Sequence, residues 1–221
     1  MAKTMASEKY HLRAILKESR QALPQRSAAT LSASVQSRLI ESPFYRSAPA
    51  VVLYAAIDNE VATNVIAADS FRSGRVVYYP RVDRERRSIS LAAISDLSEL
   101  QPGAFGIPEP PAGRQPEGRQ IDPERLRAAL VCVPGLAFSL SGARLGRGGG
   151  YYDQMLAQLG PGVIAAGLAY SFQLLDSIPE TPQDRRLDFV VTEFAVHPGI
   201  KIKSASGLRI DRGGTPRCMS Y

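Results

Sequence analysis

The sequence is poor in the side chains that bind metals or carry redox chemistry. Its 221 residues include two cysteines, two histidines and no tryptophan. A structural zinc site needs about four Cys or His ligands, so His11 and His197 almost exclude a histidine-rich zinc site. Cys132 and Cys218 do not form a CxxC pair, and Cys132 lies in an apolar run. This position favours a buried, inert thiol over a reactive one.

Long apolar runs are also missing. No stretch approaches the roughly 18 apolar residues that span a bilayer, and the N-terminal residues lack the apolar core of a secretory signal. We therefore expect a cytoplasmic protein that binds no membrane. The length and the 44% hydrophobic content predict a single catalytic domain over residues 1–200.

The positive charge is concentrated at one end of the chain. Residues 201–221 carry +4 of the net charge of +6. We expect this basic tail to be peripheral or poorly ordered. A binder of RNA or another acidic polymer would show steep salt dependence, but the weakly charged body and the lack of an aromatic RNA-reading motif argue against it. We predict no nucleic-acid partner.

Strand-like and helix-like segments alternate along the chain. An amphipathic helix over residues 7–22 has Leu12, Ile15, Leu16 and Leu23 on one face, and a second helix after Pro24 ends near Ser42. Apolar runs predict strands at 51–57, 76–79, 88–92, 130–133, 163–168, 189–192 and 194–196, with helices at 62–71 and 151–159. Prolines predict an irregular loop over residues 102–124. The pattern indicates an α/β fold with a mostly parallel sheet, which binds ligands at the carboxyl ends of its strands.

The most informative segment is the glycine loop, residues 141–153, whose sequence is SGARLGRGGGYYD. Three consecutive glycines let the backbone approach a ligand closely, and their N–H groups together with two arginines favour a bound anion. The following helix would add the positive end of its dipole. Asp153, in the first turn of that helix, could cap the helix or hold a magnesium ion.

Two common nucleotide-binding motifs do not fit this loop. The phosphate-loop pattern GxxxxGK[ST] needs a lysine and a hydroxyl residue, and neither follows Gly150. The dinucleotide pattern GxGxxG, started at Gly146, meets Tyr151 where its last glycine belongs. The anion site is therefore of another type.

The glycine loop resembles the motif of the 5-formyltetrahydrofolate cyclo-ligases, also called 5,10-methenyltetrahydrofolate synthetases. The similar residues are Gly142, Arg144 to Gly148 and Gly150 to Asp153. Four further blocks resemble the family in the same order: Lys9-x-x-Leu12-Arg13, Glu60-Val61-x-Thr63, Gly106-Ile107-x-Glu109-Pro110, and Asp184-x-x-x-Asp188 followed by Val191-Thr192-Glu193. The resemblance covers about residues 9 to 193.

The resemblance implies a three-layer α/β fold with an N-terminal helical pair. It also implies an enzyme that uses ATP and Mg²⁺ to convert 5-formyltetrahydrofolate to 5,10-methenyltetrahydrofolate, releasing ADP and phosphate. Its partners would be small-molecule substrates, and we expect a monomer. A divergent relative acting on another substrate, or a non-catalytic folate- or nucleotide-binding module, is the alternative.

The resemblance also implies roles for individual residues. ATP would be held by Lys9, Arg13, Arg144, Leu145, Gly146, Arg147, Gly148, Gly149, Gly150, Tyr151 and Tyr152. The folate would contact Arg13, Ala55, Glu60, Arg147, Gly148, Gly149, Gly150 and Tyr151. Mg²⁺ would be bound by Asp153 and Asp184, and the catalytic residues would be Arg147, Tyr152 and Asp153. The chain departs from the family at Gly149, where some members have lysine, and at Gln183, where many have histidine.

Overall fold

The computed structural model describes residues 2–111, 126–181 and 184–199. The helices are α1 (Ala2–Gln21), α2 (Gln25–Glu41), α3 (Pro43–Ser47), α4 (Asn64–Arg72) and α5 (Tyr151–Gln158). The strands are β1 (Ala50–Val52), β2 (Val76–Asp83), β3 (Ser88–Ile94), β4 (Gln101–Pro102), β5 (Pro108–Glu109), β6 (Leu130–Val133), β7 (Ala137–Ser139), β8 (Arg144–Leu145), β9 (Ile164–Leu168), β10 (Leu174–Leu175), β11 (Phe189–Val191) and β12 (Val196–Pro198). The predicted tail, Cys218 and Gln183 lie outside the described residues.

A seven-stranded sheet in the order β12-β11-β9-β6-β1-β2-β3 organises the fold. The five inner strands are parallel, and β3 and β12 run antiparallel at the two edges. Four of the five inner strands, β1, β6, β9 and β11, are short apolar runs because both of their faces are largely buried. The predicted mostly parallel α/β sheet is confirmed.

Helices cover both faces of this sheet. Successive residues of β6 point to opposite faces: Leu130 and Cys132 pack in the core that includes Val35 and Leu39 of α2. Val131 and Val133 pack in the core that includes Met155 and Leu156 of α5. The structure therefore has the predicted three layers.

Helix α1 packs on a third, smaller cluster. Leu12 and Leu16 contact a group that includes Leu136, Leu145 and Ile178. Ile15, which we predicted on the buried face, is 48% exposed. The buried stripe continues instead from Leu16 to Arg20, because residues four apart share one helix face.

Three predicted segments need correction. The strand predicted at 51–57 ends at Val52, because the Thr63 hydroxyl donates to the Tyr54 carbonyl and the Tyr54 hydroxyl to the Val61 carbonyl, which draws this segment away from the sheet. The strand predicted at 194–196 is found at Val196–Pro198. Within the predicted irregular loop, β4 and β5 pair as a small antiparallel ribbon, in which proline is tolerated. Residues 112–125 of that loop lie outside the described residues.

The strand order places a crevice between β1 and β6. From β1 the chain passes through α4 to β2 on one side, and it later returns to β6 on the other side. In such sheets a ligand crevice forms beyond the carboxyl ends of the strands where the order reverses. Those ends lead to residues 53–58 and 134–135.

Candidate active site

A cleft of about 680 Å³ opens at this reversal point. Its walls come from α1, from the connection between β1 and α4, from the glycine loop, and from the β2–β3 and β4–β5 segments. The predicted site residues that line it are Lys9, Arg13, Ala55, Glu60, Arg144, Leu145, Gly146, Arg147, Gly148, Gly149, Gly150, Tyr151, Tyr152, Asp153 and Asp184. The structure therefore brings together residues that are up to 175 positions apart in sequence.

The glycine loop enters α5 through backbone conformations that favour glycine. Gly148 has φ +99° and Gly150, directly before α5, has φ +74°. The first N–H groups of α5 have no partners inside the helix. They lie at the end of the helix that borders the cleft. This arrangement suits a phosphate group.

Two cations of α1 reach the glycine loop and the opposite wall. The Arg13 Nε donates to the Gly146 carbonyl at 3.0 Å. The Lys9 Nζ lies 2.7 Å from Asp184 Oδ2. Although burial opposes ionisation of Asp184, the Lys9 ammonium and the Thr181 N–H hold the pKa of this carboxyl below its usual range. Helix α1 therefore forms one wall of the cleft.

Arg144 and Asp153 form an ion pair beneath the loop. Arg144 Nη2 lies 2.9 Å from Asp153 Oδ1, and the Arg144 side chain is only 4% exposed. Arg144 also donates to the Pro134 carbonyl at 3.3 Å. Its guanidinium carbon is 5.7 Å from the centre of the Tyr152 ring. Asp153 thus serves as the partner of a buried cation.

Arg147 crosses the cleft to two carboxylates. Its Nη1 lies 3.0 Å from Asp58 Oδ2, and its Nη2 lies 3.1 Å from Glu60 Oε1. The Glu60 side chain is 7% exposed and also has Arg20 Nη1 at 3.5 Å. Burial opposes ionisation of Asp58, but Arg147 holds its pKa below the usual range. The glycine loop is thereby tied to the wall that follows β1.

The side chains around Tyr151 and Phe105 make part of the cleft apolar and aromatic. Tyr151 meets Phe105 edge to face, with 6.2 Å between ring centres. Tyr152 is packed beside the α5 core, and burial raises its pKa well above the usual range. The apolar residues of this part of the lining also include Pro80, Val82, Ile89 and Ile107. A flat heterocycle fits such a surface better than a phosphate does.

The acidic residues suit magnesium only in company with phosphate. Within the described ranges, no group of three or more His, Cys, Asp or Glu side chains is placed to hold a metal ion. Mg²⁺ in nucleotide sites commonly uses one or two carboxylates plus phosphate oxygens and waters. Asp153 and Asp184 supply two carboxylates on one cleft, which fits that donor set.

The comparison with known proteins identifies the family. The model of the 5-formyltetrahydrofolate cyclo-ligase family matches residues 5–193. The chain belongs to this family. The predicted family resemblance is confirmed.

Individual cyclo-ligases match over most of the chain. The mitochondrial 5-formyltetrahydrofolate cyclo-ligase of Arabidopsis thaliana is 32% identical over 187 residues, covering 75% of this chain and 66% of that protein. The 5-formyltetrahydrofolate cyclo-ligase of Mus musculus is 28% identical over 204 residues, covering 87% and 97%. The NMR structure of the Aquifex aeolicus 5,10-methenyltetrahydrofolate synthetase is 31% identical with a TM-score of 0.73, covering 92% and 97%. The three-layer fold is thus that of a solved synthetase.

The sequence analysis missed Asp58 and Phe105, which line the cleft, and Arg20, which is hydrogen-bonded to two residues of its wall. Arg20 is completely buried and donates to the carbonyls of Asp58 and Gly135, 2.9 and 3.1 Å away. Asp58 pairs with Arg147, and Phe105 faces Tyr151. For Arg20 a signal existed, because Lys9, Arg13, Leu16 and Arg20 follow helical spacing along one face. For Asp58 and Phe105, which lie in irregular segments, no periodic pattern was available.

Two other findings concern residues outside the cleft. Cys132 is fully buried, and burial raises the pKa of its thiol to about 12. This agrees with the predicted inert thiol. Separately, none of the helices in the described part of the chain is long and apolar enough to cross a membrane.

Proposed function

We propose that this cleft converts 5-formyltetrahydrofolate and ATP to 5,10-methenyltetrahydrofolate, ADP and phosphate. ATP is the co-substrate that membership of the cyclo-ligase family implies. The observation that carries the proposal is one cleft lined by the cationic glycine loop, which suits phosphates, and by aromatic side chains, which suit a flat ring. Such a cleft would bring the terminal phosphate of ATP next to the reduced folate.

The phosphates of ATP would lie along the glycine loop. Backbone N–H groups of residues 146–150 and the start of α5 supply fixed donors. Lys9, Arg13 and Arg144 supply the positive charge, and arginine adds a planar donor fork. The side chain of Leu145 is buried in the cluster under α1, so in our proposal its contact with ATP is made by the backbone.

The folate would occupy the aromatic part of the cleft. Tyr151 would stack on or beside the ring system, and Ala55 would leave room for it. Glu60 Oε2 already accepts the Ile57 N–H at 3.2 Å, while Oε1 contacts Arg147. A carboxylate held in this way can accept N–H groups of a pterin. The Arg147 side chain extends from the glycine loop to Glu60, where it would contact both substrates.

The chemistry needs activation of a weak electrophile. Amide resonance makes the formyl carbon on N5 unreactive, and its oxygen is a poor leaving group. Transfer of the γ-phosphoryl group of ATP to the formyl oxygen removes both obstacles. N10 then attacks the formyl carbon and loses its proton, and the carbon–oxygen bond breaks to release phosphate. The formyl oxygen leaves with that phosphate, and the methenyl bridge remains.

The side chains of the cleft would act by position and charge. Arg147 and Tyr152 would fix the formyl oxygen and the phosphoryl group in line, so that charge developing during transfer meets preorganised donors. We propose that Asp153 and Asp184 hold the magnesium ion. When bound with ATP, Mg²⁺ neutralises phosphate charge and favours the transfer. No side-chain nucleophile is needed.

The assignment covers small-molecule substrates and a single chain. Residues 201–221 carry +4 of the net charge of +6, so the rest of the chain is only weakly basic, and we propose a site that binds no nucleic acid. We also propose that the chain acts as a monomer. A cytoplasmic location and the division into a domain and a tail stay predictions.

A direct assay tests the proposed function. The purified chain is mixed with 5-formyltetrahydrofolate, ATP and Mg²⁺, and the methenyl product is followed by absorbance beside ADP release. We expect the two products to appear in a one-to-one ratio and to require ATP. Tight binding of 5-formyltetrahydrofolate without any product would instead support a folate-binding module. ADP release only with a different substrate would refute the folate assignment.

A further inference from the structure

Glu109 is a buried carboxylate in the wall of the cleft for which the mechanism above has no use. It lies in β5, is 6% exposed, and lines the cleft near Phe105 and Ile107. Its Oε2 accepts the Val82 N–H at 3.3 Å, and the Ala104 N–H also bonds to the carboxylate. Its Oε1 has no hydrogen-bond partner among the described residues. A carboxylate so placed is costly, which suggests a purpose other than packing.

The carboxylate lies directly against a tight turn. A Cβ atom on Gly103 would be 2.6 Å from the Glu109 carboxyl carbon, so only glycine permits this approach. The turn closes with a hydrogen bond of 3.0 Å from the Gly103 N–H to the Ile107 carbonyl. Glu109 therefore joins the turn, through Ala104, to the neighbouring strand β2, through Val82.

Within this turn, Phe105 has an unfavourable backbone conformation. Phe105 has φ +58°, a left-handed conformation that side-chain-bearing residues rarely adopt. Its ring is 58% exposed, although it meets Tyr151 edge to face and has the Arg84 guanidinium 4.8 Å from its centre. Such a conformation persists only where its surroundings enforce it, and such sites are often functional. The backbone hydrogen bonds of the turn and the contacts of Glu109 with Gly103 and Ala104 surround it here.

We propose that Glu109 is a positioning residue that holds Phe105 at the mouth of the cleft, where its ring packs against the flat ring system of the folate. This inference rests on the proposed function. Glu109 does not itself touch the substrate, because Oε1 is sealed from solvent and Oε2 is occupied by backbone N–H groups. The two residues work as a unit, in which the carboxylate fixes the backbone and the ring makes the contact.

Direct binding of 5-formyltetrahydrofolate without ATP tests the proposal. We expect Glu109→Ala to weaken binding by about tenfold, equivalent to about 1.4 kcal/mol, with the Kd of an ATP analogue unchanged. Glu109→Gln should bind nearly as well as the wild type, because its amide oxygen can accept the same two N–H groups. If Glu109 instead acted as a general acid or base, Glu109→Ala and Glu109→Gln would both remove that function. Equal weakening in both variants, or none in Glu109→Ala, overturns the proposal.

Glu99→Ala is the matched control. Glu99 also accepts a backbone N–H in the same region, from Ser95 at 3.0 Å, but it does not line the cleft. We expect its loss to leave the folate Kd unchanged even where it lowers the melting temperature. A folate Kd that is weakened equally in Glu99→Ala would point to general loosening of the segment and contradict the proposal.

A double-mutant cycle tests whether Glu109 acts through Phe105. Phe105→Ala, at an exposed position, should weaken folate binding as much as Glu109→Ala, and the double variant should be no weaker than either one. Additive losses contradict the proposal. If Glu109→Ala does not fold, an unchanged Kd in Phe105→Ala contradicts it as well. Wild-type binding without cyclisation would refute the proposed function but leave this inference standing, and failure of the wild type to bind folate would overturn both.

Discussion

Three of the four cationic side chains that line the cleft are each paired with a carboxylate, and the fourth, Arg13, donates to the Gly146 carbonyl. Arg144 pairs with Asp153, Arg147 with Asp58 and Glu60, and Lys9 with Asp184. These pairs fix the long side chains near the positions where phosphate charge is proposed to lie. Binding would then exchange one negative partner for another, so little side-chain entropy remains to be lost.

The first prediction concerns Arg147. We expect Arg147→Ala to lower turnover by about 100- to 1000-fold, the usual cost of losing one donor to transition-state charge. Its side chain is 41% exposed and Glu60 retains Arg20, so the melting temperature should change little. Arg72→Ala, which removes an arginine whose side chain is 77% exposed in a surface ion pair, is the control and should retain full activity. Near-normal turnover in Arg147→Ala would remove Arg147 from the catalytic group.

The second prediction concerns Asp153, for which the choice of substitution matters. Asp153→Ala would leave the buried Arg144 without its partner and cost about 3 kcal/mol of stability. Asp153→Asn keeps an oxygen for Arg144 but removes the charge proposed to hold Mg²⁺. We expect this variant to fold normally and to lose about 100-fold in turnover, with partial recovery as Mg²⁺ is raised. Normal kinetics at low Mg²⁺ would refute the metal role.

The residues that line the cleft differ in how readily they can be predicted from the sequence. The glycine loop is one continuous segment, so its residues could be predicted together. Lys9 could be placed in the cleft only through the family resemblance, because a lysine on an amphipathic helix is usually solvated. Asp58 and Phe105 have left-handed backbone conformations in irregular segments, and their neighbours are set by tertiary contacts.

Helix α1 is part of the site and not merely an extension of the fold. Arg20 anchors its end to residues that follow β1 and β6, and Lys9 and Arg13 lie on the same face. We therefore predict that docking of the helix and binding of phosphate are coupled.

A substitution of Arg20 tests this coupling. We expect Arg20→Met, which keeps apolar volume but removes the buried charge, to lower the free energy of unfolding by about 3 kcal/mol, as for other buried pairs that lose one partner. The KM for ATP should rise because Lys9 and Arg13 are less firmly placed. Urea unfolding and steady-state kinetics measure the two effects. Lys17→Ala, at an exposed position of α1, should stay within about 0.5 kcal/mol of the wild type; an unchanged KM for ATP in Arg20→Met would argue against coupling.

The edge strand β12 gives a pH-dependent prediction. Burial lowers the pKa of His197, whose ring lies 3.4 Å from the Thr192 hydroxyl. The folded chain therefore binds this proton more weakly than the unfolded chain, so its contribution to stability is present above pH about 6.5 and is lost as pH falls. His197→Gln should flatten the dependence of unfolding free energy on pH between about 7 and 5. His11→Gln, on the exposed side of α1, is the control. If the pH dependence of the unfolding free energy is unaltered in His197→Gln, His197 does not make this contribution to stability.

The predicted elements were accurate where burial imposes a simple pattern. Strands β6 and β9 are apolar on both faces, so each run of residues identified its strand. The early end of β1 was not predictable, because the side-chain hydrogen bonds of Tyr54 and Thr63 replace the sheet there. The β4–β5 ribbon was hidden by its prolines, which lie at positions a two-stranded edge tolerates.

At the scale of the whole molecule, the fold brings the proposed binding regions for ATP and folate together where the strand order reverses. The β1 connection carries Glu60 and Asp58, β6 leads to the glycine loop, and α1 covers the junction. A reaction in which a phosphoryl group passes from a nucleotide to a folate requires this proximity. The long-range pairs that create it, such as Lys9 with Asp184, join segments far apart in sequence.

The central claim is that the cleft moves the phosphoryl group of ATP onto the formyl oxygen of the folate. Heavy-oxygen labelling of the formyl group, followed by mass spectrometry of the released phosphate, tests it most directly. Our account predicts that each turnover places the labelled oxygen in inorganic phosphate, together with one methenyl product. Label recovered in water, with unlabelled phosphate, would contradict it.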